Sequence, residues 1–95
     1  MVLICYDVAN TNTQGRRRLR KIAQACQDYG VRVQYSLFEC RIDGVQWLNL
    51  RDRLLSIFEP KEDSLRFYFI DEDSLQKTEH HGVRKPLDPT DVLLF

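Results

Sequence analysis

Residues 2–6 read Val-Leu-Ile-Cys-Tyr, an unbroken apolar run that stops at Asp7. No other feature narrows the fold as much. A strand that is apolar at every position has both faces covered, so it belongs at the centre of a sheet and not at a solvated margin. Asp7 closes that strand, and a polar stretch over residues 9–15 leads away from it as a loop.

The rest of the chain supplies the other layers. Leu19, Ile22, Ala23, Cys26 and Tyr29 recur at helical spacing, and Gly30 is a natural stop. Val31, Val33 and Tyr35 then alternate with Arg32, Gln34 and Ser36, which predicts a strand with two distinct faces. Phe38, Cys40 and Ile42 alternate with Glu39 and Arg41, so residues 31–42 are either one long bent strand or a tight hairpin turning near Ser36. Asp43 and Gly44 open a second helix, whose predicted buried stripe is Trp47, Leu50, Leu54 and Phe58 with Leu48 and Leu55. After a turn over residues 60–64, residues 65–70 form a last strand.

The order is β-α-β-β-α-β, which predicts an α+β, ferredoxin-like sandwich with both helices on one face of the sheet. The first and last strands are apolar on both sides, so the second face also needs cover. With 95 residues there is no chain left to supply it. A second copy of the chain is the simplest cover, giving a homodimer with its sheets facing. The core domain is expected over residues 1–71. Residues 72–95 are expected to be a Pro-marked linker and an apolar C-terminal strand, Val-Leu-Leu-Phe at 92–95, that pairs with the partner subunit.

Hydrophobic content of 43% and charged content of 29% exclude a disordered chain. No apolar run approaches a membrane span and no basic-plus-apolar leader precedes the first strand, so a cytoplasmic protein is expected. Cys5, Cys26 and Cys40 are an odd set without a close pair, which fits reduced, packed thiols and not a disulfide framework or zinc knuckle. The formal net charge is zero, yet the signs are segregated. Arg16, Arg17, Arg18, Arg20, Lys21 and Arg32 face a single acid, Asp28, over residues 16–32, while acids dominate residues 59–73. A neutral protein with one basic stripe can still bind a polyanion locally.

Asp7 is the first candidate for chemistry. A carboxylate at a strand end can bind a hard cation such as Mg²⁺, which takes oxygen ligands and keeps several waters. One Asp per chain is a poor metal site, whereas two copies brought together across a dimer axis would hold one ion that activates water and neutralises a phosphodiester. An Asx turn or loop cap is the structural alternative. The basic run at Arg16, Arg17, Arg18 and Arg20 opens the first helix, where the helix dipole disfavours cations and a bound phosphate would favour them. A solvated charged face is its alternative. Arg32, Gln34, Ser36 and Phe38 are read as one strand face opposite Val31 and Val33. An Arg beside an aromatic suits nucleic acid, although core or interface is the commoner fate of a Phe. His80 and His81 are adjacent and point opposite ways in an extended segment, so they are read as surface loop residues. No P-loop, G-x-G-x-x-G, G-x-S-x-G or H-E-x-x-H is present.

Ile-Cys-Tyr-Asp-Val at residues 4–8, the Arg-rich helix start, and Tyr-Gly-Val-Arg-Val-Gln-Tyr-Ser-Leu-Phe-Glu at residues 29–39 together resemble the CRISPR-associated protein 2 family. Leu37 stands where that family usually has Val, and Cys40 where Gly is common. The tail over residues 82–95 resembles the type I-C branch. The resemblance implies a homodimer with an Mg²⁺-assisted nuclease site where two copies of Asp7 meet. It associates Tyr6, Arg17, Arg32 and Phe38 with activity or substrate contact. It also implies a partner, the CRISPR integrase (CRISPR-associated protein 1), with which the dimer would hold DNA for insertion as a new spacer. RNA is a further possible substrate, and a non-catalytic DNA-binding scaffold or a generic ferredoxin-like RNA-binding module are the competing expectations.

Overall fold

The computed structural model describes residues 1–9 and 11–82. The expected C-terminal strand at 92–95 and its pairing therefore lie outside the described residues. The elements are β1 (Val2–Val8), α1 (Thr13–Gln27), β2 (Val31–Gln34), β3 (Leu37–Cys40), α2 (Gly44–Ile57), β4 (Asp63–Phe69) and a short α3 (Glu72–Gln76). The sheet order is β2-β3-β1-β4, with every neighbouring pair antiparallel. This is the ferredoxin-like arrangement, and the apolar β1 sits inside it as its composition requires.

Local chemistry sets the helix starts. The side-chain oxygen of Asn12 accepts from the Gly15 amide at 2.8 Å, so α1 begins at Thr13, inside the stretch expected to be loop. Asp43 and Gln46 form a reciprocal capping box at the head of α2, with bonds of 2.8 and 3.1 Å. Residues just past Asp71, expected to be linker, instead open with α3, because Asp71 accepts from the Ser74 amide at 2.7 Å and Leu75 buries itself.

β1 alternates cleanly. Val2, Ile4 and Tyr6 are buried, Leu3 and Cys5 are half-buried, and Asp7 is exposed. Cross-strand register extends the pattern: Ile4 stands opposite Phe38 on β3 and Phe67 on β4. Ile22, Ala25 and Cys26 of α1 and Leu50 and Leu54 of α2 close the core over these residues. Trp47 meets Phe67 edge to face at 4.7 Å, which puts α2 on the same side of the sheet as α1.

Two expectations are corrected and one open alternative is resolved. Leu48 and Leu55 are exposed, because each follows a buried-side residue by one position and so lies about 100° around the helix from it. Residues 31–42 form a hairpin, not a bent strand. The ladder slips between Arg32 and Gln34, so Arg32 pairs with Phe38 on the helix side while Gln34 pairs with Leu37 on the other. Arg32, Gln34 and Phe38 therefore do not share one face.

Gly30 lies beyond the end of α1, which is capped at Asp28, and its lack of a side chain serves another purpose. It does not adopt the left-handed conformation. A Cβ there would collide with the Glu39 carbonyl oxygen and lie 2.7 Å from the Cys40 sulfur. The Cys40 side chain is thus accommodated by the bare backbone opposite it.

Candidate functional site

Because β1 alternates, consecutive residues serve opposite sides of the sheet. Asp7 emerges on the helix-free face, opposite Ser64 of β4. It borders a shallow hollow with Gln34, Ser36, Ser64, Arg66 and Tyr68. The Arg66 guanidinium donates to the Tyr68 hydroxyl at 3.0 Å, and Arg66 stands two register positions from Asp7, opposite Cys5. Around this polar corner Leu3, Cys5 and Leu37 are half-buried, on the face opposite the core side chains of β1.

Tyr6 faces inward. Its hydroxyl donates to Asp63 Oδ2 at 2.6 Å. Arg18 reaches the same carboxylate through Nε at 2.8 Å and Nη2 at 3.1 Å, and also donates to Glu62 at 2.9 Å. The Glu59 amide adds a fourth bond at 2.9 Å. The Asp63 side chain is wholly out of solvent. Burial acts to raise its pKa, but the bonds from Arg18, Tyr6 and the Glu59 amide outweigh burial and hold the carboxyl below its ordinary range. Burial first, and the neighbouring carboxylate second, push the Tyr6 phenol well above its ordinary value. That phenol is a fixed hydrogen-bond donor at neutral pH.

The basic run divides by face. Arg18 is committed to Asp63 and Glu62. Arg16, Arg17 and Arg20 are exposed and make no ion pair among the described residues. Arg32 lies over the Phe38 ring at 5.4 Å and the Tyr35 ring at 5.0 Å, and its Nε donates to the Tyr35 carbonyl at 2.7 Å. Phe38 itself is fully buried and presents no ring to a ligand. His80 and His81 are exposed, with ring nitrogens 3.2 Å from the Gly82 carbonyl oxygen and the Glu79 carboxylate respectively.

The structure thus brings Asp7 together with Arg66 and Ser64, and Arg32 together with Arg16 and Arg20, in two separate places. Asp63, Arg66 and Tyr35 escaped the sequence reading. Asp63 had no local signal, since its partners Tyr6 and Arg18 lie 57 and 45 residues away along the chain. Arg66 carried one, as a lone cation within an apolar strand.

Among the described residues no cluster of three or more His, Cys, Asp or Glu could enclose a metal. No helix among them is long and apolar enough to cross a membrane. Asp7 offers accessible carboxylate oxygens, which suit a hard, largely hydrated cation held by one or two carboxylates. Among the described residues Glu39, paired with Leu3, also lies on this face, but only Asp7 stands at the polar hollow, so the donor set fits Mg²⁺ if a second copy contributes its own Asp7.

The sequence profile of the family described as CRISPR associated protein Cas2 matches residues 1–78. The CRISPR-associated endoribonuclease Cas2 of Chlorobaculum tepidum is 49% identical over 95 residues, covering 100% of this chain and 99% of the relative. The CRISPR-associated endonuclease Cas2 of Halalkalibacterium halodurans is 44% identical over 95 residues, covering 100% and 99%. The crystal structure of Streptococcus pyogenes Cas2 at pH 6.5 superposes with a TM-score of 0.78 at 41% identity, covering 85% of this chain and 98% of that one.

Proposed function

Because the chain belongs to the CRISPR associated protein Cas2 family, we propose that it is a phosphodiester endonuclease that works as a homodimer in CRISPR spacer acquisition. The observation that carries the reading is the exposure of Asp7 on a helix-free, partly apolar sheet face. A second copy seated sheet to sheet covers Leu3, Cys5 and Leu37 and brings a second Asp7 to the first.

Two Asp7 carboxylates would then hold one Mg²⁺, which, when bound, supplies charge neutralisation at the phosphate and a more acidic water. The chain's own residues do the rest. Arg66 steadies a non-bridging phosphate oxygen beside Asp7. Tyr6 is a positioning residue: its hydroxyl anchors the inner side of β1 to Asp63 and so fixes the direction of Asp7 next to it. Arg16, Arg17 and Arg20 hold the polynucleotide backbone, Arg32 continues that surface, and Phe38 supports Arg32 from below. Arg18, tied to Asp63, shapes the helix rather than the ligand.

The relatives' names divide between endoribonuclease and endonuclease, so RNA and DNA are both candidate substrates. A second reading, a DNA-binding scaffold that bridges subunits of the CRISPR integrase (CRISPR-associated protein 1), is favoured by the three uncommitted arginines, which need no Asp7 to bind phosphate. Both readings place the protein in the cytoplasm, where the free thiols Cys5, Cys26 and Cys40 would stay reduced. An RNA-binding module of the ferredoxin-like kind has less support, because the outward residues of the central strands, Leu3, Cys5, Leu37 and Glu39, include no aromatic.

The deciding test is cleavage of single-stranded RNA, single-stranded DNA and duplex DNA by highly purified wild type and Asp7→Asn, with Mg²⁺ and with chelator. Hydrolysis that needs both Asp7 and the metal supports the nuclease. Binding without Asp7-dependent hydrolysis of any substrate overturns it in favour of the scaffold.

A further inference from the structure

The arginine-bearing side of α1 does not simply face solvent. Arg16 and Arg20 are one helical turn apart, Gln27 continues their stripe, and across from them stand Arg32 and Tyr35 at the β2–β3 hairpin. Together they line a hollow of about 440 Å³. Among the described residues no Asp or Glu lines it. Three guanidinium groups therefore converge on one depression to which the described residues bring no counter-charge.

Tyr35 is the unusual member. It is 72% exposed, the most exposed large apolar residue among those described, at the open edge of the sheet. A tyrosine with no packing duty ordinarily pivots freely. This one is held twice by Arg32, which donates to its carbonyl at 2.7 Å and lies over its ring at 5.0 Å. Arg32 is itself seated on the buried Phe38 ring. The result is a stack of Phe38, Arg32 and Tyr35, with a pre-oriented aromatic plate on the outside and cations beside it.

We propose that this hollow binds one nucleotide of a single-stranded nucleic acid, its base stacked on Tyr35 and its phosphate held by Arg16 and Arg20. The inference rests on the nucleic-acid reading above and adds to it: a duplex, whose bases are stacked on one another, can use the arginines but not the plate. Base–aromatic stacking is tolerant of base identity, so preference is expected for unpaired strands and not for a sequence.

The test is fluorescence anisotropy with the full chain in chelator, so that binding is read without hydrolysis. The probes are a labelled oligothymidylate, an oligomer of equal length carrying abasic sugars, and a duplex. Tyr35→Ala is expected to weaken oligothymidylate binding about tenfold, in line with the loss of one stacked base. It should leave the abasic oligomer and the duplex unchanged, while Tyr35→Trp retains wild-type binding. Arg16→Gln with Arg20→Gln should weaken all three probes. Because Tyr35 is exposed and Arg32 grips its carbonyl, Tyr35→Ala keeps the fold, which circular dichroism verifies. If Tyr35→Ala binds oligothymidylate like wild type while the double arginine variant weakens every probe, the base plate is wrong and the phosphate surface stands. If the double arginine variant changes nothing, the hollow holds no phosphate and both fall.

Discussion

The Tyr6 hydroxyl and the Asp63 carboxylate meet at 2.6 Å, joining adjacent antiparallel strands at the point where Arg18 of the first helix enters from the other side. Sheet and helix are pinned there through one buried carboxylate. Tyr6→Phe removes a single donor and leaves Asp63 with Arg18 and the Glu59 amide, so the expected loss is about 1–2 kcal/mol in urea unfolding. Asp63→Ala should cost more, since it strands both the phenol and a guanidinium. An unaltered midpoint for Tyr6→Phe would show that the bond contributes nothing net.

The same carboxylate dictates an acid response. Its pKa is depressed in the folded state, so its contribution is fully present above the unfolded value of about 3.9 and is lost as pH falls through the folded value. Wild type should therefore lose stability steeply below about pH 4. Asp63→Asn should start less stable at neutral pH and show a shallower acid slope in chemical unfolding. Parallel slopes would remove Asp63 as the source.

Arg16, Arg17 and Arg20 should be separable from Arg18. Replacing the three exposed arginines with Gln is expected to lower nucleic-acid affinity and reduce the salt slope by about one for each lost phosphate contact, with no loss of thermal stability. Arg18→Gln should instead lower the melting temperature. The reverse pattern would mean that Arg18 is the ligand contact and its ion pair is incidental.

Gly30 is expected to tolerate no side chain. Gly30→Ala forces a methyl against the Glu39 carbonyl and the Cys40 sulfur, and should destabilise by about 1–3 kcal/mol. Adding Cys40→Gly should restore only part, because the backbone oxygen remains. Full restoration by the second change would place all the strain on the thiol.

Leu37→Glu, on the helix-free face opposite Cys5, should weaken self-association without unfolding the protomer, and Asp7-dependent cleavage should fall with it. Sedimentation at several concentrations reads the first effect. A variant as tightly associated as wild type would move the interface elsewhere.

The sequence made the layered order legible because each strand and helix repeats its apolar residues at its own period. The β1 run, the helical spacing of Leu19 to Tyr29 and the cap at Asp43 all report on short stretches of chain. What stayed hidden depended on distance or on one irregularity. Nothing near Asp63 announces that Tyr6 and Arg18 converge on it. Alternation alone put Arg32 with Gln34, and only the slipped ladder separates them. Gly30 looked like a helix stop and is a point of close approach. The exposed position of Asp7 was readable because its signal, the abrupt end of an apolar strand, is local.

The two faces of β1 impose a rule of parity on this chain. Tyr6 must point in and Asp7 out, and residues 2–8 keep that order along β4 as residues 2–5 do along β3. Deleting one residue anywhere between Leu3 and Cys5 would turn every later side chain over, burying a carboxylate among the helices and pushing a phenol onto the open face. Losing two adjacent residues would shorten the strand yet preserve which side each survivor serves. Among homologous chains, length differences ahead of the aspartate should therefore come in even steps or fall outside the strand altogether.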